Sequence, residues 1–300
     1  MEYLIKTIKS TTGLKEASNN NNKDTISSCE ACQLGSSTKI NSKLPFKEAE
    51  RLTIFDIDIA GPFKTKGLKG ESYFLTIIDR GTRTVWVYAL KHRAQALDII
   101  INFYNMIKTQ FNIEIKAFRL DNAPEFKSDK WTNWTTSKGI ICEYTSPYTP
   151  PQNGISERLN RYLVEKLISI CIQKSIPLKL WPYILQGLVH IKNRTYNNIL
   201  NKTPYEALLG YKPKVDYIKI LGSLTYITIP KEKRDGKLNI KANKGILVGF
   251  KSSNNFLVYL PNKNKVISLR DVNIKEELAY NNEELKDEDY NSMLDFNLLI

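Results

Sequence analysis

Residues 119–126 read RLDNAPEF, and residues 144–161 read YTSPYTPPQNGISERLNR. The first segment places Asp121 at the end of an apolar run that predicts a β-strand. The second begins as a proline-rich loop and continues into a predicted helix that carries Glu157 in its first turns. Thirty-five residues lie between Asp121 and Glu157. The two segments therefore predict a strand end and a helix start that each present a carboxylate.

A third carboxylate lies upstream, in the segment RLTIFDIDIAGPF over residues 51–63. Apolar residues alternate there with Asp56 and Asp58, which predicts a strand with both aspartates on one face. The alternation alone does not choose between the two aspartates. Asp58 is the nearer to the break at Gly61 and Pro62, and functional side chains are often placed where a strand opens into a loop.

The order of predicted elements indicates a mixed α/β fold. Residues 72–90 predict a hairpin with Asp79 in its turn, so the first three strands are expected to pair as a meander before helical crossovers begin. The remaining elements of this part are predicted helices over 94–111, 127–138, 153–172 and 178–197, and predicted strands over 114–120 and 140–144. Trp131 and Trp134 are expected in the core, and His190 is expected to be structural.

The chain changes character after Thr203. Four short strand-like runs separated by Lys-, Asn- and Gly-rich turns predict a small all-β module over residues 222–274. The tail that follows is acidic: residues 275–300 contain eight acids and two lysines.

The net charge favours a polyanionic partner. Lys and Arg number 44 against 31 Asp and Glu, which gives +13 for the whole chain and a pI near 9.4. Nucleic acid is the commonest such partner, although a lysine-rich, A/T-biased coding sequence explains the same excess. No apolar run is long enough to span a bilayer, and no secretory signal follows Met1. The sequence predicts a soluble, intracellular protein with no membrane partner and no small-molecule substrate.

One segment, residues 231–251, interleaves basic and apolar residues and is a candidate contact for a phosphate backbone. A solvated turn-and-edge surface explains the same residues nearly as well. The candidate DNA-binding residues of this segment are Lys231, Lys233, Arg234, Lys237, Lys241 and Lys244.

Cys29 and Cys32 form a CxxC pair, which is half of a tetrahedral zinc site. No second pair is visible, and His92 and His190 belong to no paired motif. Two reduced surface cysteines are therefore the default expectation, with Zn²⁺ only as a partial site.

The three carboxylates Asp58, Asp121 and Glu157 suit a divalent metal. Mg²⁺ takes oxygen ligands and usually only a few protein carboxylates, and a pair of such ions can drive an in-line phosphoryl displacement. Asn160 and Arg161 lie three and four residues after Glu157 and are expected on its helix face, where they could contact DNA. The alternative without a catalytic role is an ion pair between Glu157 and Arg161 at the start of the helix.

Several motifs resemble the D,D(35)E core of copia-type (pseudovirus) LTR-retrotransposon integrases. They are DIAGP from Asp58, the Asp121-Asn122 dipeptide followed by EF, and SPYTPPQNGISERLNR from Ser146. Downstream, TPYEALLGYKP, LGSLTYITIP, KLNIKANKGILVGF and VISLRDV are similar to the segments that follow that core. Upstream, CEACQLGSSTK resembles the end of the family's zinc-binding region.

The resemblance implies an RNase H-like core that processes the 3′ ends of element DNA and joins them to target DNA. It implies Mg²⁺ or Mn²⁺ on Asp58, Asp121 and Glu157, and it favours Asp58 over Asp56. It also implies a homo-oligomer around two DNA ends, found in the nucleus and cytoplasm, or in a virus-like particle if the element is active. The expected regions are a zinc-region remnant and linker (1–48), the catalytic core (49–215), the β module (216–275) and a disordered acidic tail (276–300).

The sequence also departs from the family pattern. Ala123 and Pro124 stand where the family usually has two glycines, and no histidines precede the CxxC pair. No protease or reverse transcriptase segment is present, so the expectation is a piece of a longer polyprotein or a decayed copy. Two alternatives to an active integrase therefore stay open: an inactive nucleic-acid-binding remnant, and a metal-dependent nuclease that does not join ends.

Overall fold

The computed structural model describes Thr7 and residues 49–144, 154–234 and 238–280. The helices are α1 (Ala96–Phe111), α2 (Asp129–Ser137), α3 (Gly154–Lys174), α4 (Trp181–Lys192) and α5 (Pro204–Leu209). The strands of the first sheet are β1 (Ile54–Ala60), β2 (Tyr73–Asp79), β3 (Val85–Leu90), β4 (Ala117–Leu120) and β5 (Ile141–Tyr144). Those of the second are β6 (Ser223–Thr228), β7 (Ala242–Ser252), β8 (Asn255–Leu260), β9 (Lys265–Leu269) and β10 (Asn273–Ala279).

The first sheet has the strand order β3-β2-β1-β4-β5. Strands β1, β2 and β3 pair antiparallel, which confirms the predicted meander. Strands β1, β4 and β5 pair parallel, as connections through a helix require. Asp56 of β1 lies beside Arg119 of β4, so the end of β4 lies next to the second half of β1. This is the mixed sheet expected of an RNase H-like core.

Helices cover both faces of this sheet, which explains why its inner strands are apolar on both sides. On one face, Phe55 and Ile57 of β1 pack in a cluster with α1 and α2. Trp131 is fully buried there and Trp134 packs against the same cluster, which confirms the predicted core role of both tryptophans. On the other face, a second cluster contains the buried sides of α3 and α4.

The second cluster continues into the β module without a break. Trp181 and Ile184 of α4 share it with Ile246, Leu247 and Val248 of β7. The module is a five-stranded antiparallel sheet of order β10-β6-β7-β8-β9. Since α4 packs on β3 on one side and on β7 on the other, one layer of helix joins the two sheets.

Two predicted boundaries differ from those in the structure. The helix predicted over 178–197 is a short 3-10 turn followed by α4, which ends at Lys192. It ends where a polar run begins at Asn193, whose side chain bonds to the backbone of Val85, accepting from its N–H and donating to its C=O. Strand β10 runs to Ala279, past the start of the tail expected to be disordered at residue 276, because it pairs with β6.

Some expectations lie outside the described residues. They are the CxxC pair at Cys29 and Cys32, Lys237, and the acidic tail beyond residue 280. Within the described part of the chain, no helix is long and apolar enough to cross a membrane.

Candidate active site

Asp58 lies in the second half of β1, where its carboxylate is held by two donors. The N–H of Ile59 donates to Oδ1 at 2.9 Å. The Nδ2 amide of Asn160, on α3, donates to Oδ2 at 2.8 Å. Because one donor is on the strand and the other on a helix that crosses it, the orientation of the carboxylate is fixed by both elements.

Asn160 is in turn oriented by Thr76 of β2. The Thr76 hydroxyl lies 3.0 Å from the Asn160 Oδ1 and 3.3 Å from the Asp58 carbonyl oxygen. Thr76 pairs directly opposite Asp58 in the antiparallel register. Asn160 is buried, and the DNA contact predicted for it stays a prediction. Its side chain supports Asp58.

Asp121 and Glu157 lie near Asp58. Asp121 follows the last residue of β4, the strand next to β1, and its Oδ1 accepts the N–H of Ala123 at 3.1 Å. Glu157 lies in the first turn of α3 and is exposed. Burial, the negative charge of Asp121 and that of Glu157 together raise the pKa of Asp58 to about 6, while the Ile59 N–H and the charge of Arg93 oppose the shift. Asp58 therefore experiences the charge of both other carboxylates.

The donor chemistry of these three groups fits a hard divalent cation. All are carboxylates from different elements, and the mutual repulsion that raises the pKa of Asp58 is what a cation between them would relieve. Within the described ranges, however, no three acidic, histidine or cysteine side chains are close enough to form a ligand set as they stand. Binding a metal therefore requires side-chain rotation, for which the exposed Glu157 is the freest of the three.

The turn after Asp121 forms without strain despite Ala123 and Pro124. Ala123 has φ −63° and ψ 145°, an extended conformation open to any residue. Pro124 starts a short 3-10 turn, a position that suits its fixed φ. The two residues that depart from the glycine pattern are thus compatible with the backbone observed here.

Asp56, the alternative to Asp58, has a different environment. Its carboxylate accepts from Nε and Nη2 of Arg80, with contacts from 2.9 to 3.1 Å, and both residues are buried. Asp79 is buried too. It accepts from the N–H groups of Leu52 and Thr82 and from the Thr82 hydroxyl, so it organises the turn, as predicted for a turn residue. Neither carboxylate is available to a ligand in this arrangement.

Comparison with known proteins supports the resemblance drawn from the motifs. Residues 49–150 match the family model of the integrase core domain, and residues 223–288 match that of the retroviral polymerase SH3-like domain. The chain is a relative of the integrase region of LTR-retrotransposon Pol polyproteins. The fold of residues 49–150 is therefore that of an integrase core domain, and the antiparallel sheet β6–β10 is the SH3-like domain.

Two plant proteins are among the relatives. The chain is 29% identical over 257 residues to the retrovirus-related Pol polyprotein from transposon TNT 1-94 of Nicotiana tabacum, covering 84% of this chain and 19% of that protein. It is 30% identical over 179 residues to that from transposon RE1 of Arabidopsis thaliana, covering 59% of this chain and 12% of the relative. The chain thus spans about a fifth or less of the length of these relatives.

A solved structure of the catalytic core domain of BIV integrase is also similar. It is 19% identical and covers 53% of this chain and 95% of that one, with a TM-score of 0.38. A TM-score this low supports no argument by itself. The fold assignment rests on the sheet topology and on the match to the family model of the integrase core domain.

The basic residues predicted to contact DNA are divided between two places. Arg161 lies on α3, one turn after Glu157, and is half-buried. Lys231, Lys241 and Lys244 are exposed around the connection between β6 and β7, in the SH3-like domain. Lys233 belongs to a short 3-10 turn there, and Arg234 donates its Nε to the Ile229 carbonyl. These residues do not lie on the strands that carry Asp58 and Asp121.

His190 and the described cysteines have structural environments. Nε2 of His190 lies 2.7 Å from the Tyr217 hydroxyl, and its ring packs against Phe250. Burial lowers the pKa of His190 to about 3, so the ring is neutral, as expected of a core histidine. Burial raises the pKa of the Cys171 thiol to about 12, which makes it a poor nucleophile.

Sequence reasoning missed two residues near the carboxylates, Thr76 and Arg93. Thr76 orients Asn160, and Arg93 is the cation whose charge lowers the pKa of Asp58. The sequence offered one signal for Thr76. Strand β2 is the next strand after β1, so antiparallel pairing of the two would bring Thr76 close to Asp58. For Arg93 no local pattern distinguishes it from an ordinary surface arginine.

Proposed function

We propose that this chain acts as a retrotransposon integrase that processes the 3′ ends of element DNA and transfers them into target DNA. Asp58, Asp121 and Glu157 are the proposed metal ligands, with Mg²⁺ or Mn²⁺ as the cation. The observation that carries the proposal is the raised pKa of Asp58, caused by burial and by the charges of Asp121 and Glu157. A buried carboxylate kept near two others is costly even with the two donors that Asp58 has, and functional sites are where such arrangements concentrate.

When bound, the divalent cations would activate the attacking oxygen and stabilise the leaving oxygen of the phosphoryl transfer. The protein's own contribution is orientation. The Ile59 N–H and the Asn160 amide fix the Asp58 carboxylate, and the short turn after β4 fixes Asp121. Glu157 closes the set from the helix side. Arg161, one turn further along α3, would contact the phosphates of a bound strand.

The test is a strand-transfer assay in Mn²⁺ with labelled duplexes of the element ends. We expect the intact chain to join ends to a target duplex, and Asp121→Asn and Glu157→Gln to abolish joining. Asp129→Asn and Glu165→Gln are matched controls, because each removes a carboxylate outside the proposed ligand set. Loss of joining in the controls to the same degree, or joining by both ligand variants, would refute the assignment.

A second candidate function is a nucleic-acid-binding remnant without catalysis. It is favoured by one observation: within the described part of the chain, the three carboxylates do not form an assembled ligand set. Binding of DNA without any joining or nicking would select it. Nicking without joining would instead select a metal-dependent nuclease with the same fold.

An active integrase of this kind also requires assembly and access to chromosomal DNA. We therefore propose a homo-oligomer on two DNA ends and a nuclear site of action. Size measurement by light scattering, with and without an element-end duplex, tests the first of these: a chain that stays monomeric in both conditions contradicts it.

A further inference from the structure

The end of α4 carries two cation–ring pairs that the proposed catalytic site does not use. The Lys192 Nζ lies 4.9 Å from the centre of the Tyr162 ring on α3. The Arg194 guanidinium lies 4.7 Å from the centre of the Tyr205 ring on α5. Other cations over rings in the described part of the chain lie at 5.7 to 6.0 Å. We call Tyr162, Lys192, Arg194 and Tyr205 the α4-end surface.

The two cations of this surface contact rings and not carboxylates. The described ion pairs neutralise other cations, such as Lys108 with Glu114 and Lys116 with Glu50, but they include neither Lys192 nor Arg194. An aromatic ring orients a cation without cancelling its charge. The positive charge of the α4-end surface therefore remains available to an anion.

Local composition adds to this charge. Residues 192–214 contain five cations and one acid, Glu206, and the acid beyond them, Asp216, pairs with Lys214. Burial lowers the pKa of Lys192, and no carboxylate opposes that shift. A bound anion would supply the missing counter-charge. The five cations are Lys192, Arg194, Lys202, Lys212 and Lys214.

The position of the surface relates it to the proposed catalytic site. Tyr162 follows Glu157 by five residues, a rise of about 7.5 Å along α3. At the other side, Asn193 bonds to the backbone of Val85, at the start of β3, which is two strands away from β1. Five residues also turn the helix by about 140°, so Tyr162 lies on a different side of α3 from Glu157 and the surface is separate from the three carboxylates.

We infer that the α4-end surface binds the phosphate backbone of duplex DNA beside the segment held at the catalytic site. This inference rests on the proposed function. Phosphate is favoured over stacked bases because Lys192 and Arg194 already occupy ring faces of Tyr162 and Tyr205. Tyr162 is 40% exposed and Lys192 is partly exposed, so an anion can approach the pair from the Tyr162 side, and the contact would be independent of DNA sequence.

The experiment measures fluorescence anisotropy of a labelled random-sequence duplex over a series of salt concentrations in EDTA. Lys192→Gln should weaken binding roughly fivefold to tenfold at 0.1 M salt and reduce the salt slope by about 1, the effect of one lost phosphate contact. Lys108→Gln is the matched control, because it removes the same charge from a lysine already paired with Glu114. It should leave both quantities close to those of the unmodified chain.

Tyr162 provides a test in which charge does not change. Tyr162→Phe keeps the ring and should bind normally, whereas Tyr162→Ala releases Lys192 and should weaken binding. Arg194 also donates to the His190 carbonyl, so removing its side chain could disturb the fold as well as the charge. Arg194→Lys keeps the positive charge and therefore tests the charge without that complication. It should retain most of the affinity.

The two proposals fail in different ways. If the unmodified chain binds no duplex at any salt concentration, the proposed function fails. If it binds but Lys192→Gln matches the Lys108→Gln control, only the α4-end surface is refuted. A Tyr162→Ala variant that is folded and binds normally would also refute it.

Discussion

Asn160 links α3 to the centre of the sheet by donating its side-chain amide to Asp58 while lying within hydrogen-bond distance of the Thr76 hydroxyl. The three residues are far apart in sequence but form one chain of contacts from β2 to β1 through the helix. Because the helix that carries Asn160 also carries Glu157, the same contact positions two of the three proposed ligands relative to each other.

Replacing Asn160 tests this positioning role. Asn160→Ala leaves the Asp58 Oδ2 and the Thr76 hydroxyl without their partner, which should cost roughly 1–3 kcal/mol of unfolding free energy. A loosened carboxylate should also lower strand transfer by roughly tenfold to a hundredfold. Denaturant unfolding and the joining assay measure the two effects, with exposed Asn243→Ala as the control.

A purely structural asparagine would give a different pattern. In that case the Mn²⁺ concentration needed for half-maximal thermal stabilisation would not change in Asn160→Ala. We expect it to rise, because the ligand that Asn160 orients is no longer held. Thr76→Val should give a smaller rise, since Asn160 keeps its own bond to Asp58.

Asp58 should make folding stability depend on pH. Its pKa is raised from 3.8 to about 6 in the folded chain, so between these pH values the folded state holds a proton that the unfolded state has released. Stability from this group is therefore present below pH 4 and is lost as pH rises through 6. The loss is at most about 3 kcal/mol, and less where water screens the partly exposed carboxylate.

Asp58→Asn removes this loss. In EDTA, the variant should be more stable than the unmodified chain at pH 7 and similar to it at pH 4. The gain in stability requires the side-chain amide of Asn160 to flip, so that its oxygen accepts a hydrogen bond from the amide introduced at position 58. Melting temperatures from pH 4 to pH 8 measure the difference. Adding Mn²⁺ at pH 7 should stabilise the unmodified chain and have little effect on Asp58→Asn; a variant that is no more stable than the unmodified chain at pH 7 would contradict the assignment.

Local patterns in the sequence were sufficient to predict the meander, the crossover helices and the β module, because strand alternation and helical spacing are properties of short segments. These patterns were insufficient to predict which side chains contact each other. Asp56 and Asp58 alternate identically with apolar residues, and what separates them is Arg80, 24 residues away, which contacts only Asp56. The support that Asn160 gives to Asp58 was not predicted for the same reason: its partners Asp58 and Thr76 are 102 and 84 residues away.

Helix α4 shows the same limit at an element boundary. The prediction extended the helix to residue 197 across the polar run that starts at Asn193, whereas α4 ends at Lys192. The polar run was a local signal for the end, and the bond between the Asn193 side chain and the backbone of β3 was visible only in the structure. The candidate ligands Asp58, Asp121 and Glu157 were predicted from their positions at strand ends and a helix start, with the resemblance favouring Asp58 over Asp56, whereas the Asn160 and Thr76 support was visible only in the structure.

Asp56 and Arg80 should contribute to stability and not to metal binding. Asp56→Ala leaves Arg80 buried without its partner, beside the equally buried Arg83, so we expect a loss of roughly 3–5 kcal/mol. Glu50→Ala, which breaks the exposed pair with Lys116, should have little effect on stability, because solvent screens the pair. Denaturant unfolding compares the two variants. A mild effect of Asp56→Ala, similar to that of Glu50→Ala, would show that the buried pair is not needed for the fold.

Gly222 is expected to be the most sensitive position between the two sheets. It lies just before β6 with φ +86°, and a Cβ there would lie 2.5 Å from the Cβ of Lys174 and 2.7 Å from Cδ1 of Ile176. Gly222→Ala therefore combines a strained backbone with a clash against the end of α3. Gly70 is the matched control, because its φ of +89° is nearly the same but nothing lies within 4 Å of its Cβ position.

We expect Gly70→Ala to cost about 1 kcal/mol, the effect of the backbone alone, and Gly222→Ala to cost clearly more. Because α4 and β7 share one apolar cluster, the loss should appear as a shift of a single unfolding transition detected equally by far-UV circular dichroism and tryptophan fluorescence. Trp181 reports on the shared cluster, and Trp131 reports on the opposite face of the first sheet. Two separate transitions in Gly222→Ala, with the catalytic core melting at its original temperature, would show that the SH3-like domain folds on its own and that the continuous core does not couple the two sheets.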